Sequence, residues 1–229
     1  TLDYQDYLFL TLTGRNDWSS TLPEGNRSFF YPSASLGFVF SDVLDLPDFL
    51  DFGKLRFSAS EVGKDADPYE TNITFGSFPF KGQTLETRSG QLGDPNLKPE
   101  STVSFEVGTD LRFFSERLRL DLTAYQSNSR DQIIPVPISE ASGFDTFVTN
   151  AGEIRNRGIE VTAGFTPIET DKFQWDATVN WAKNNNEVVA IREGIESITL
   201  FGSSFSYGGS LTMQLRRGLE YGNLYGPVY

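Results

Sequence analysis

The sequence contains no cysteine and no histidine. Without cysteine there are no disulfides and no thiol nucleophile, and without histidine the commonest metal ligand and general base is missing. Neither a Ser-His-Asp nor a Cys-His arrangement can be assembled, so no catalytic residue, metal ligand or cofactor is assigned and the chain reads as a non-enzyme. Basic residues are scarce: 19 Lys and Arg stand against 31 Asp and Glu, a net charge of -12, which argues against nucleic acid as a partner. No run approaches the roughly 18 apolar residues of a membrane helix, and residues 1–30 lack a basic-then-apolar signal peptide. That absence excludes helices only. Barrel strands present alternate residues to lipid, so a membrane barrel can keep a modest overall hydropathy.

What the sequence does contain is 20 Phe, nine Tyr and three Trp with 21 Gly, a β-rich and turn-rich composition. Its clearest stretch is a hairpin from Thr102 to Gln126. On the first arm Val103, Phe105, Val107 and Leu111 alternate with Thr102, Ser104, Glu106, Gly108 and Asp110. On the second, Leu118, Leu120, Leu122 and Ala124 alternate with Arg117, Arg119, Asp121 and Thr123. Successive strand residues point to opposite faces, so each arm has one apolar and one polar side. Side-chain parity then requires opposed residues whose numbers sum to an odd value, as Asp110 with Arg119 would.

The same period recurs in five further segments: Tyr4 to Arg15, Phe29 to Ser41, Lys54 to Val62, Ile154 to Phe165 and Phe173 to Trp181. A weak strand is expected near Ser210 to Leu215. The connections between segments alternate in length. Those at 16–28, 63–100, 127–152 and 184–229 are the longer set, and those at 42–53, 112–116 and 166–172 the shorter. In an up-and-down antiparallel sheet every second connection lies at the same end, so long loops gather at one end and tight turns at the other. Outer-membrane barrels have this asymmetry, with long loops extracellular and short turns periplasmic; sandwiches usually lack it. The fold expected is therefore all-β: about seven strands of an antiparallel, up-and-down transmembrane β-barrel.

At this point the sequence resembles the SusC/RagA family of TonB-dependent outer-membrane transporters of Bacteroidetes. The resemblance is carried by Gly14-Arg15-Asn16-Asp17-Trp18-Ser19-Ser20, Phe30-Tyr31-Pro32-Ser33-Ala34-Ser35-Leu36-Gly37, Lys54-Leu55-Arg56-Phe57-Ser58, Asn96-Leu97-Lys98-Pro99-Glu100, Gly108-Thr109-Asp110-Leu111, the run from Asn150 to Glu160, and Gly222-Asn223-Leu224-Tyr225-Gly226. It implies a parent barrel of about 22 strands closed around a plug, of which this chain would be a middle-to-late piece without plug, signal peptide or closing strand. It further implies a bacterial outer-membrane location and import of nutrients such as oligosaccharides or peptides. The implied partners are a SusD-like surface lipoprotein, the TonB-ExbB-ExbD complex and outer-membrane lipid.

Two groups of side chains stand out as binding candidates. Tyr69, Phe75, Phe78 and Phe80 in the longest loop, with Phe144 and Phe147 in the next, could stack on sugar rings, pack on a lipoprotein lid, or simply pin the loops together. Glu106, Asp110, Arg117, Arg119 and Asp121 form a charged wall on the hairpin's polar side. That wall reads either as cross-strand pairing worth ~0.2 to 1 kcal/mol per pair, or as a lumenal ladder that guides substrate or meets the plug. Asp65, Asp67 and Glu70 have oxygen ligands for calcium but lack the spacing of a recognised calcium loop.

Two rival architectures stay open at this stage: a soluble β-sandwich binding module of carbohydrate-binding type, and a small closed membrane barrel. The sandwich predicts that a second sheet covers the face holding Val103, Phe105, Leu118, Leu120, Leu122, Ile159, Val161 and Trp175. Lipid as solvent predicts that this face is open.

Overall fold

A computed structural model of the chain describes residues 1–205 and 209–227. Its main body is one eight-stranded antiparallel wall in which every strand pairs with its predecessor in the wall. The strands are β1 (Leu2–Tyr4), β2 (Leu8–Trp18), β3 (Ser28–Val39), β4 (Leu50–Lys64), β5 (Glu100–Phe113), β6 (Leu118–Arg130), β7 (Gly152–Thr170) and β8 (Phe173–Ile191). Seven of these are the seven periodic segments, and β1 is a short addition at the edge. The elements run longer than periodicity alone suggested: β7 and β8 have 19 residues each, so only Asp171 and Lys172 separate them, and β8 extends ten residues past Trp181 into the stretch expected to be loop. In long strands the ladder continues into polar sequence, where hydrophobic alternation no longer marks it.

The register makes the two faces continuous. Leu10 pairs with Leu36, Leu36 with Phe57, Phe57 with Val107, Val107 with Ala124 and Ala124 with Ile159, an apolar line across six strands. The next line runs Leu8, Phe38, Leu55, Thr109, Leu122, Val161 and Trp181. The opposite face reads Thr11, Ser35, Ser58, Glu106, Tyr125, Gly158 and Asn184. On β5 and β6 the opposed pairs are odd-sum, as parity requires, but Asp110 faces Asp121 and Arg119 faces Arg112. The ladder is thus offset by two residues from the example pairing of Asp110 with Arg119, a slip that preserves both faces.

Among the described residues no second sheet covers the apolar face. Phe105 is 58% exposed, Ile159 52% and Trp175 52%, and of the three smaller sheets among the described residues two are built from connections between wall strands and the third from residues 197–225, after β8. The sandwich therefore fails on geometry. Aromatic side chains gather at the short-turn end of this face: Phe49, Phe113 and Phe114 lie with ring centroids 6.3–6.4 Å apart, and Tyr7 packs edge-on against Tyr4 and Phe38. Such a girdle is what an interface between hydrocarbon and water selects.

The turn from β5 to β6 occupies residues 114–117. Phe114, Ser115 and Glu116 all have positive φ, 57 to 62°, a left-handed run that costs ordinary residues roughly 1–2 kcal/mol each. It is held by the Phe114 amide donating to Phe49 O at 3.0 Å, the Glu116 amide donating to Asp51 Oδ2 at 3.1 Å, and an Arg112–Glu116 ion pair at 2.9 Å.

The clustered buried core sits at the long-loop end and takes only Val188, on β8, from the wall. Ile134, Val136, Ala151, Val188, Ile198 and Leu215 form one cluster, and Leu22, Ala66 and Leu97 a second, all at the long-loop end. If lipid is the solvent of the open face, Leu122→Arg, in the middle of the apolar band, is expected to lower folding stability in vesicles by about 2–4 kcal/mol. Thr123→Arg, on the polar side one residue away, should change it far less; urea titration of both variants measures the difference.

Candidate functional site

The long connections are folded structures. Residues 63–100 contain a hairpin, Phe75–Phe80 with Gln83–Arg88, and a short strand, Gln91–Gly93, that pairs in parallel with Thr146–Asn150. Thr146–Asn150 also pairs with Ile133–Pro137. Two stretches expected to be loop are thereby joined into one three-stranded sheet. Ser197–Phe205, Gly209–Arg216 and Asn223–Tyr225 make another three-stranded sheet, so the weak strand expected at 210–215 is present within a larger unit. Residues 206–208 and 228–229, part of the expected 184–229 loop, lie outside the described residues.

One short segment, Asp94 to Glu100, ties these pieces together. Asn150 receives the Lys98 amide at 2.9 Å and donates its own amide to Lys98 O at 2.9 Å and Asp131 O at 2.7 Å. Asp94 accepts from Thr149 Oγ1 at 2.6 Å. Glu100, only 8% exposed, accepts from the Ile133 amide at 2.9 Å and lies 3.6 Å from Lys64 Nζ. Asn26, from the first long connection, donates to Asn96 O at 3.1 Å and Leu97 O at 3.0 Å, while Leu97 is fully buried against Leu22 and Ala66. Three connections far apart in sequence are clamped by one hub. Two of the quoted sequence blocks, Asn96 to Glu100 and the run beginning at Asn150, meet in it; reading the sequence had not assigned them a physical role.

The six aromatic candidates divide into two groups. Phe144 lies under the Arg88 guanidinium at 4.3 Å and Phe147 under Arg192 at 5.2 Å, so both pin the loops. Phe75, Phe78, Phe80 and Tyr69 are exposed. Phe78 opposes Leu85 on one side of the hairpin, next to Phe80, and Phe75 opposes Arg88 on the other. A two-stranded hairpin with open aromatic faces is marginal in water by itself and suited to contact with another surface.

On the polar side of the wall, Glu106, Asp110, Arg119 and Asp121 share one face, while Arg117 falls in the 114–117 turn, outside the wall. The ion pairs do not join these residues to one another. Arg56 on β4 reaches across β5 to Asp121 on β6 at 2.6 Å, and Arg119 on β6 reaches across β7 to Asp176 on β8 at 3.8 Å. In each case the strand between presents a glycine. A Cβ on Gly108 would come 3.0 Å from Arg56 Nη2, and one on Gly164 3.2 Å from Arg119 Nε. Tyr125 repeats the arrangement over Gly158, donating its hydroxyl to Asn184 Oδ1 at 3.2 Å. The long polar side chains lie flat against the wall and do not project from it. Sequence reading missed Arg56, Asp176 and Tyr125; glycines at matching positions on the polar face were the available signal.

The acidic group in the longest loop is otherwise engaged. Asp65 accepts from Ser19 Oγ at 2.5 Å, and Glu70 accepts from the Asp67 amide at 3.1 Å. Burial raises the Glu70 carboxyl above its ordinary range, against the Asp67 amide that lowers it. Among the described residues no three His, Cys, Asp or Glu side chains come together as a metal cage.

The family described as TonB dependent receptor-like, beta-barrel, matches residues 1–226. TonB-dependent receptor P26 of Formosa agariphila is 31% identical over 207 residues, 86% of this chain and 20% of that protein. TonB-dependent receptor SusC of Bacteroides thetaiotaomicron is 30% identical over 202 residues, 83% of this chain and 20% of its own length. The chain thus spans about a fifth of the length of these curated relatives. Among solved structures, the RagAB peptide transporter superposes with a TM-score of 0.79 at 21% identity, covering 94% of this chain and 23% of that one. The siderophore receptor PirA of Pseudomonas aeruginosa gives 0.51 at 14% identity, covering 97% and 38%. These structural likenesses speak for the fold.

Asn150→Ala removes three hydrogen bonds of the hub and is expected to loosen the loop sheets by about 1–3 kcal/mol. Hydrogen exchange should show faster amides in residues 91–93 and 133–150 with β5 and β6 unchanged. Unchanged loop exchange would mean that the hub does not hold the loops.

Proposed function

The chain belongs to the TonB-dependent receptor β-barrel family, whose members reside in the bacterial outer membrane, and from that premise we propose that it is a wall segment of a SusC-like nutrient importer. The observation that carries this reading is the pairing of an open apolar face, complete across the wall, with long connections folded into a single clamped unit at one end. The first needs lipid as solvent; the second supplies a rigid platform for binding.

In this reading the long-loop end, with the 75–88 hairpin and the hub, faces the outside, and the turns at 40–49, 114–117 and 171–172 face the periplasm. The polar side of the wall faces the barrel interior, where side chains lying flat over Gly108, Gly158 and Gly164 leave room for a plug or for cargo. Tyr69, Phe75, Phe78 and Phe80 are the residues assigned to contact with substrate or with a SusD-like lipoprotein. Phe144 and Phe147 support that surface from behind. Energy would come from the TonB-ExbB-ExbD complex through other parts of the parent protein. Cargo is an oligosaccharide or a peptide: SusC and RagAB are the named relatives, and RagAB is described as a peptide transporter.

Because the chain has no cysteine, single introduced thiols report its orientation cleanly in a parent free of other accessible thiols. A cysteine at Lys81, at the hairpin tip, should react with a membrane-impermeant maleimide on intact cells; one at Ser115 should react only after the outer membrane is opened. The reverse pattern would refute the assigned orientation. Phe78→Ala and Phe80→Ala together should reduce growth on the transported nutrient, or affinity for the lipoprotein partner, by several-fold, with barrel folding unchanged.

A further inference from the structure

The outward face of the wall changes character abruptly at the long-loop end of β6, β7 and β8. Below the change stand Leu122, Val161 and Trp181, opposed in register, and then Ala124 and Ile159. Opposite Ile159 the next outward residue of β8 is Lys183, and the next line is Gln126, Arg157 and Asn185. Above that come Asn128, Arg155 and Glu187, then Arg130 with Glu153. Four cations therefore stand directly above the apolar band on the side that faces lipid.

Two of the four are already neutralised. Arg130 lies 3.4 Å from Glu153 and Arg155 3.8 Å from Glu187. Arg157 and Lys183 are exposed and have no carboxylate within ion-pair distance among the described residues. They are diagonal neighbours across β7 and β8, roughly 7–8 Å apart, close enough for one phosphate to engage both. Beside them Arg155 Nε is buried without a hydrogen-bond acceptor. Glu220 lines the same cleft as Arg157, so the surplus positive charge is local and modest.

A groove of about 610 Å³ in the apolar band lies next to this pair. It runs past Leu36, Phe57 and Val107 to Ala124 and Gln126, with Ala34 and Ala59 among its lining; Gln126 is the register partner of Arg157. Small residues there leave a channel in the lipid-facing surface whose end at Gln126 lies one strand from Arg157 and two from Lys183.

We propose that Arg157 and Lys183 form a membrane-facing site for the phosphate of an anionic lipid headgroup, with one acyl chain of the same lipid seated in the groove beside them. Charge complementarity and continuity with the lipid-facing band commit the site to a lipid: a soluble partner has no access to the groove, and a cationic pair at the edge of hydrocarbon attracts anionic headgroups. The leaflet assigned to that lipid, the outer one, rests on the orientation proposed above.

The test uses the full-length parent, extracted in mild detergent and analysed by native mass spectrometry. The wild-type protein should retain a phosphorylated lipid, and Arg157→Gln with Lys183→Gln should lose it at least several-fold. Lys81→Gln, the same charge change at the hairpin tip, should retain it. Re-addition of phosphatidylglycerol should restore binding to wild type only, and phosphatidylcholine should not. Equal lipid retention by the double variant, or complete displacement of the lipid by millimolar inorganic phosphate, would overturn the proposal. Loss of lipid from the double variant together with outside labelling at Ser115 would uphold the site and move it to the inner leaflet, which separates its failure from that of the orientation.

Discussion

Everything in this chain depends on an apolar face that protein does not cover. A sheet with one hydrophobic side must bury it against something, yet the wall carries its apolar lines across six to seven strands with Phe105, Ile159 and Trp175 on that face left exposed. Each side chain left facing water would forfeit about 1.5–3 kcal/mol of burial. Lipid supplies that burial. The alternation of period two, the aromatic girdle at the short turns and the switch to cations at the other end are all consequences of fitting a strand wall to hydrocarbon about 25 Å tall.

The polar face solves a different problem. Charged side chains there face water, where an isolated surface ion pair contributes little, typically 0–1 kcal/mol. Their arrangement matters more for shape than for stability. By crossing an intervening glycine, Arg56, Arg119 and Tyr125 link strands that are not neighbours and keep the wall level. The conventional protein core is displaced to the long-loop end, where the Asp94 to Glu100 segment and Asn150 hold three connections in one body. A rigid platform at the long-loop end of a lipid-solvated wall follows from that division of labour.

The sequence made the wall legible because its information is local. Alternation over Val103 to Ala124 and Ile159 to Trp181 names strand, face and parity, and all three agree with the register. It could not fix the pairing offset between β5 and β6, since a slip of two residues keeps every face intact; the 114–117 turn decides it. The ends of β7 and β8 were hidden because polar residues such as Asn184 to Asn186 pair as well as apolar ones but leave no hydrophobic signature. The loop hub was hidden for a deeper reason. Its bonds join residues 26, 94–100, 131–133 and 149–150, long-range contacts that no window of sequence contains. Phe144 and Phe147 looked like their exposed neighbours until the arginines above them were placed.

The central claim, that one side of the wall is solvated by lipid and the other by water, can be read residue by residue with spin labels at positions 119 to 124 of β6 in the parent barrel reconstituted in bilayers. The account predicts strict alternation: labels at 120, 122 and 124 relaxed by oxygen from the hydrocarbon, and labels at 119, 121 and 123 relaxed by a water-soluble nickel chelate. A uniform profile, or the opposite phase, would contradict it.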